Sequence, residues 1–119
     1  MKKLMLFFLT FYSLSALQAQ IYVNKKDINQ LTDIVYIEVI IDSRAFRGGR
    51  SFAILDYGQL IRGFTARENR ITNERGEDEL FNGEMDVFNF LHRKGWIHET
   101  TYAKEAYVYH IFRRKGVEK

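Results

Sequence analysis

The chain has 119 residues, with 18 Lys and Arg against 15 Asp and Glu, no cysteine, no proline, and many aromatics: ten Phe, seven Tyr and Trp96. The lack of cysteine excludes a disulfide framework and a thiol nucleophile, so the fold must stand on an apolar core, as about 100 residues can. Without Lys2 and Lys3 the charge balance falls to 16 against 15, a net of +1, which excludes the basic surplus of a nucleic-acid binder.

Lys2 and Lys3 precede an apolar run from Leu4 to Leu17, broken only by Thr10, Ser13 and Ser15, and the segment closes on Ala16-Leu17-Gln18-Ala19. This is the order of a secretory signal peptide, residues 1–19, with cleavage expected before Gln20. The run falls short of the roughly 20 apolar residues of a membrane span, and no cysteine stands at the cut to carry a lipid. The expected product is an exported protein, periplasmic or extracellular, with one domain over residues 20–119 and no stable membrane insertion after cleavage.

Residues 20–32 are polar and lead into the domain. Residues 34–41, Ile-Val-Tyr-Ile-Glu-Val-Ile-Ile, are β-branched and aromatic and predict a central strand, apolar on both faces. Residues 42–50 carry the turn residues of a connection, and a second strand is expected over 51–61. Asn73-Glu74-Arg75-Gly76 predicts a turn between short strands near 70–72 and 79–81. A helix is predicted over 84–94, with Asn82 or Gly83 as N-cap and Glu84 and Asp86 in its first turn. Met85, Val87, Phe88 and Leu91 form its apolar side, and Gly95 closes it in the left-handed conformation, with Trp96 packing back onto its last turn. Residues 96–102 and 106–114 then read as a closing hairpin. The fold class is α+β: an antiparallel β-sheet with a single helix packed on one face, in the order β-β-(β)-α-β-β.

Gly95, Trp96, Ile97 and His98, followed later by Tyr109, His110, Ile111, Phe112, Arg113 and Arg114, resemble a family of small bacterial domains of unknown function. In that family a helix runs into Gly-Trp and the chain closes on an aromatic and basic strand. The acidic residue that the family places just after its Trp is displaced here by Ile97 and His98. Over a longer span, Asp56-Tyr57-Gly58-Gln59, Met85-Asp86, Asn89 and Tyr109-His110 resemble small exported proteins of Bacteroides-like bacteria. The resemblance implies a fold and a compartment and carries no activity and no functional residue.

Three groups of residues could carry function. The histidines His92, His98 and His110 raise a metal site. With a two-residue turn at Lys104-Glu105, His98 falls opposite Ile111 and His110 opposite Glu99, so the two histidines point to opposite faces. A one-residue slip would bring them together. None has the i, i+4 spacing of a helical zinc pair, so the reading is no metal, no cofactor and a Glu99–His110 cross-strand pair. The loop bearing Arg44, Phe46, Arg47 and Arg50 is a candidate anion clamp or contact loop, although Gly48-Gly49 with flanking charge also makes an ordinary connection. In the expected register Trp96, Tyr102, Tyr107 and Tyr109 share one sheet face. They are core if the helix covers that face, and an exposed platform for a protein or glycan partner if it covers Ile97, Val108 and Phe112 instead; core is the favoured reading. Glu77, Asp78 and Glu79 read as a solvated turn, and neither Ser43 nor Ser51 sits in a nucleophile elbow. The leading functional expectation is therefore a non-enzymatic binding module. The alternatives are a small hydrolase or metal-dependent enzyme using His98 and His110 with Glu99, and an envelope protein that self-associates through a sheet edge.

Overall fold

The β-branched run forms the central strand of a four-stranded antiparallel sheet. The computed structural model describes residues 19–117 except Ser43 and Phe64, so residues 1–18 of the expected leader lie outside the described residues. In chain order the elements are β1 (Tyr22–Val23), β2 (Lys26–Asp27), β3 (Tyr36–Asp42), β4 (Ile54–Asp56), β5 (Ile71–Thr72), α1 (Glu84–Arg93), β6 (Trp96–Lys104) and β7 (Tyr107–Arg114). The large sheet runs β4-β3-β7-β6, and a small one runs β2-β1-β5. The fold is α+β, with the helix on one face of the large sheet.

Alternation sorts that sheet into two faces. Ile37, Val39 and Ile41 of β3 lie opposite Phe112, His110 and Val108 of β7. Ile37, Val39, Ile41 and Phe112 join Leu55, Val87, Leu91 and Trp96 in one buried cluster. Ile21, Val23, Ile28 and Ile71, from the N-terminal segment and the small sheet, belong to the same cluster, so helix and small sheet lie on the same side. Residues 20–32 are therefore core-forming rather than a polar lead-in. Asn24 and Lys25 both take positive φ, 50° and 64°, the requirement of a tight two-residue hairpin turn, and so fold Lys26–Asp27 back on Tyr22–Val23.

The helix forms where the spacing places it. Asp86 Oδ2 accepts the Asn82 N–H at 2.9 Å, while Gly83 gives no side-chain cap. Val87 and Leu91 are buried, but Met85 is 62% exposed and does not join the apolar side; Phe90 instead meets Phe81 edge-on, 5.3 Å between centroids. Gly95 takes φ 94° and its N–H donates to His92 O. The strand expected over 51–61 is reduced to Ile54–Asp56. Beyond it Gly58 turns at φ 103°, held by its N–H on Asp56 Oδ1 at 2.8 Å and by the Tyr57 N–H on Gln59 Oε1 at 2.7 Å. The Asn73–Gly76 turn is present, with β5 as one arm and only isolated bridges, Thr72 to Asp78 and Ser51 to Phe81, beyond it.

Candidate functional site

The β6–β7 register decides what both faces carry, and it differs from the expected one. The turn falls at Glu105-Ala106, with Lys104 opposite Tyr107. Glu105 supplies the positive φ, 59°, that such turns accept at their first central position. Tyr102 then faces Tyr109, and Thr101 faces His110. Between His98 and Thr100 the ladder carries a bulge, and beyond it His98 faces Phe112 and Trp96 faces Arg114. One inserted residue reverses the alternation of a strand. Trp96 and His98 thereby turn to the helix side, while Tyr102 stays on the other.

The expected Glu99–His110 pair is therefore absent. The Glu99 carboxylate accepts from Arg113 on the opposite face. His98 and His110, expected on opposite faces, share one, with ring centroids 5.9 Å apart. Between them stands Thr101, its Oγ1 2.6 Å from His98 Nε2 and 2.7 Å from His110 Nδ1. Phe88 of α1 packs on both rings, at 4.8 Å and 4.7 Å. His110 is 3% exposed, its Nε2 has no hydrogen-bond partner, and Glu84 Oε1 lies 4.0 Å from that nitrogen. Burial pushes the His110 pKa below its ordinary value; the Glu84 carboxylate opposes the shift and His98 adds to it. Beside His98 lies an open hollow of about 370 Å3 lined by Phe88, Asn89, His92, Ile97 and Phe112. Among the described residues no three His, Cys, Asp or Glu side chains gather as a metal-ligand group.

Trp96 is not part of an aromatic platform. It is 1% exposed, its Nε1–H donates to Asn29 Oδ1 at 2.8 Å, and the Arg114 guanidinium lies 4.6 Å over its ring. Arg114 also donates to the carbonyls of Ile34, Leu31 and Asn29. This is a structural clasp that fixes the N-terminal segment against the end of α1.

The opposite face is the open one. Tyr36, Glu38 and Ile40 of β3 lie opposite Arg113, Ile111 and Tyr109 of β7, and Tyr102 and Tyr109 stack with centroids 4.8 Å apart and planes 3° from parallel. Tyr36 and Tyr102 are 48% and 44% exposed. The Tyr102 hydroxyl donates to Glu38 Oε2 at 2.9 Å. Lost hydration of the phenol, then that hydrogen bond and the Glu38 charge, push its pKa up to about 12. Of the expected core stripe, Trp96 is buried, while Tyr102 and Tyr109 form a surface instead. At one end, Phe52 and Thr65 meet Ile40, Ile54 and Tyr107 around a hollow of about 190 Å3.

The arginine loop is a connection with its own internal ties. Residues 45–48 make a short 3-10 turn. Arg44 Nε and Nη2 each donate to Asp42 at 3.0 Å, and Phe46 packs half-buried against the core rather than standing out as a contact residue. Arg50 is exposed, and the side chain of Arg47 lies outside the description. Sequence reasoning missed Thr101 and Glu84, and no pattern in the chain marks either. No helix among the described residues is long and apolar enough to cross a membrane. Searches against family models, curated proteins and solved structures return no match for this chain.

Proposed function

We propose that the chain is an exported, non-enzymatic binding protein that holds a protein partner on the open face of its large sheet. The observation that carries this reading is the tyrosine surface on that face, with Tyr36 and Tyr102 about half exposed. Tyrosine gives a large, stiff contact area with a polar tip, and such residues dominate the energetics of protein interfaces. The Tyr102–Tyr109 stack and the Tyr102–Glu38 hydrogen bond hold the rings in place before a partner arrives, which lowers the ordering cost of binding. Export rests on the basic, apolar and small-residue order of residues 1–19. The arginine loop is the weaker candidate contact, because Asp42 already engages the Arg44 guanidinium and Phe46 faces the core.

The test is affinity capture from envelope and culture-medium extract, comparing the tagged protein with a Tyr102→Ser/Tyr109→Ser variant and an Arg44→Ala/Arg50→Ala variant. Circular dichroism checks that each variant is folded. The expected result is a stoichiometric protein partner kept by the arginine variant and lost by the tyrosine variant. A partner retained by the tyrosine variant overturns the assignment of the face. Binding to a glycan array with no captured protein overturns the choice of partner.

A further inference from the structure

We propose that His98 Nε2 and His110 Nδ1 form a binding site for a divalent first-row transition metal ion of the zinc and copper class, with Glu84 as the group that orients His110. The site lies on the helix side of the sheet and is independent of the tyrosine face. Two imidazole nitrogens approach one point, the Thr101 Oγ1, from two strands, at 2.6 Å and 2.7 Å. Imidazole is the side chain best suited to zinc, copper and nickel. The bulge beside His98 creates this convergence, since without it the ring would sit on the other face.

The protonation pattern fits a ligand role. For His110 Nδ1 to offer a lone pair, its proton must sit on Nε2, and Glu84 Oε1 stands 4.0 Å from that nitrogen, outside hydrogen-bond range. Metal-bound histidines characteristically donate their second ring N–H to a carboxylate, which fixes tautomer and ring orientation, and a small rotation of the partly exposed Glu84 side chain would bring its carboxylate into that role. The buried Nε2 has no hydrogen-bond partner. Phe88 and Phe112 wall the His98 ring on its inner side, and His98 itself is exposed, so the site has an entry path.

A metal at the convergence point needs each nitrogen to close by about 0.6 Å to reach the usual zinc–nitrogen length of about 2.1 Å. Exposed His98 can make that movement, and Thr101, also exposed, clears the position by turning its hydroxyl to another rotamer. Two imidazoles leave the remaining coordination positions to water, so the ion is exchangeable rather than locked in a closed structural site. Micromolar affinity is expected.

The experiment titrates Cu2+ and, separately, Zn2+ into the purified protein after stripping with EDTA. Calorimetry gives stoichiometry and affinity, and electron paramagnetic resonance of the copper form counts coordinated nitrogens. The expected result is one equivalent bound, with two imidazole nitrogens on copper. His98→Ala, a change at an exposed position, should weaken binding at least tenfold and leave one nitrogen. Glu84→Gln should weaken it roughly tenfold or more with both nitrogens retained. Thr101→Val, which removes the bridging hydroxyl and neither ligand, should keep two-nitrogen binding. Absence of saturable binding to the wild-type protein overturns the proposal, and so does binding that survives His98→Ala but is lost in His92→Ala.

Discussion

Replacing Asn29 by Ala should cost this fold far more than a half-buried asparagine usually does. The Asn29 amide is held in one orientation, because its Oδ1 accepts from the Trp96 indole, which can only donate, and its Nδ2 donates to the Lys94 carbonyl, which can only accept. These bonds measure 2.8 Å and 2.9 Å. Trp96 is 1% exposed, so its N–H has no water to turn to. A buried donor left without a partner costs about 1–3 kcal/mol, and the lost bond to the Lys94 carbonyl adds about 1 kcal/mol. The expected loss is therefore about 2–4 kcal/mol, which for a domain of this size lowers Tm by roughly 10 °C or more. Urea unfolding followed by fluorescence measures it directly, since Trp96 is the single tryptophan and reports its own pocket. In a Trp96→Phe background, followed by circular dichroism, Asn29→Ala should cost at least about 1 kcal/mol less, because the two residues share the bond. A loss below about 0.5 kcal/mol in the single variant, or full additivity in the double, would refute the clasp.

Three further outcomes are expected. Gly95→Val should destabilise by about 1–2 kcal/mol in a thermal or urea melt, since φ is 94° with open space around the new Cβ, leaving left-handed strain as the cost; an unchanged Tm would contradict it. In metal-free buffer, NMR titration of the His110 ring should give a midpoint below the ordinary 6.5. The unfolded chain then binds the proton more readily, so His110's contribution to stability is complete above about 6.5 and declines as pH falls below it; a midpoint above 6.5 would reverse the sign. Glu38→Gln should bring the Tyr102 phenol down from about 12 towards the tyrosine norm, read by NMR of labelled tyrosine, and an unmoved midpoint would remove Glu38 as a cause.

What the sequence reveals follows the length and regularity of each element. The helix is legible because Val87 and Leu91 repeat at helical spacing and Gly95 marks its end, and β3 is legible because seven β-compatible residues run together. β1 and β2 have two residues each, too few for any period to show, so the core role of Ile21, Val23 and Ile28 stays hidden until the Asn24-Lys25 turn folds them in. The second strand is over-read because side-chain hydrogen bonds at Asp56 and Gln59 bend the chain where the residue types alone still permit a strand. For the histidine pair the obstacle is the bulge. The stretch Ile97-His98-Glu99-Thr100-Thr101 has no alternation of apolar and polar residues to betray an inserted residue, and the register that separated His98 from His110 depended on its absence. The tyrosine face is visible in the sequence as one of two alternatives, and the helix packing its Phe88 on Phe112 decides between them.

Among the described residues β6 is also an outer strand of the four-stranded sheet, paired there with β7, and an outer strand of nine residues can act as a template for another chain. The interruption between His98 and Thr100 twists its first half away from a flat ladder, and Lys104 stands at the far end. Only the short stretch from Thr100 to Ala103 stays regular, less than the uninterrupted run that edge-to-edge stacking exploits. The irregularity that turns His98 to the helix side thus also blunts this margin, so that edge-to-edge pairing through β6 is disfavoured.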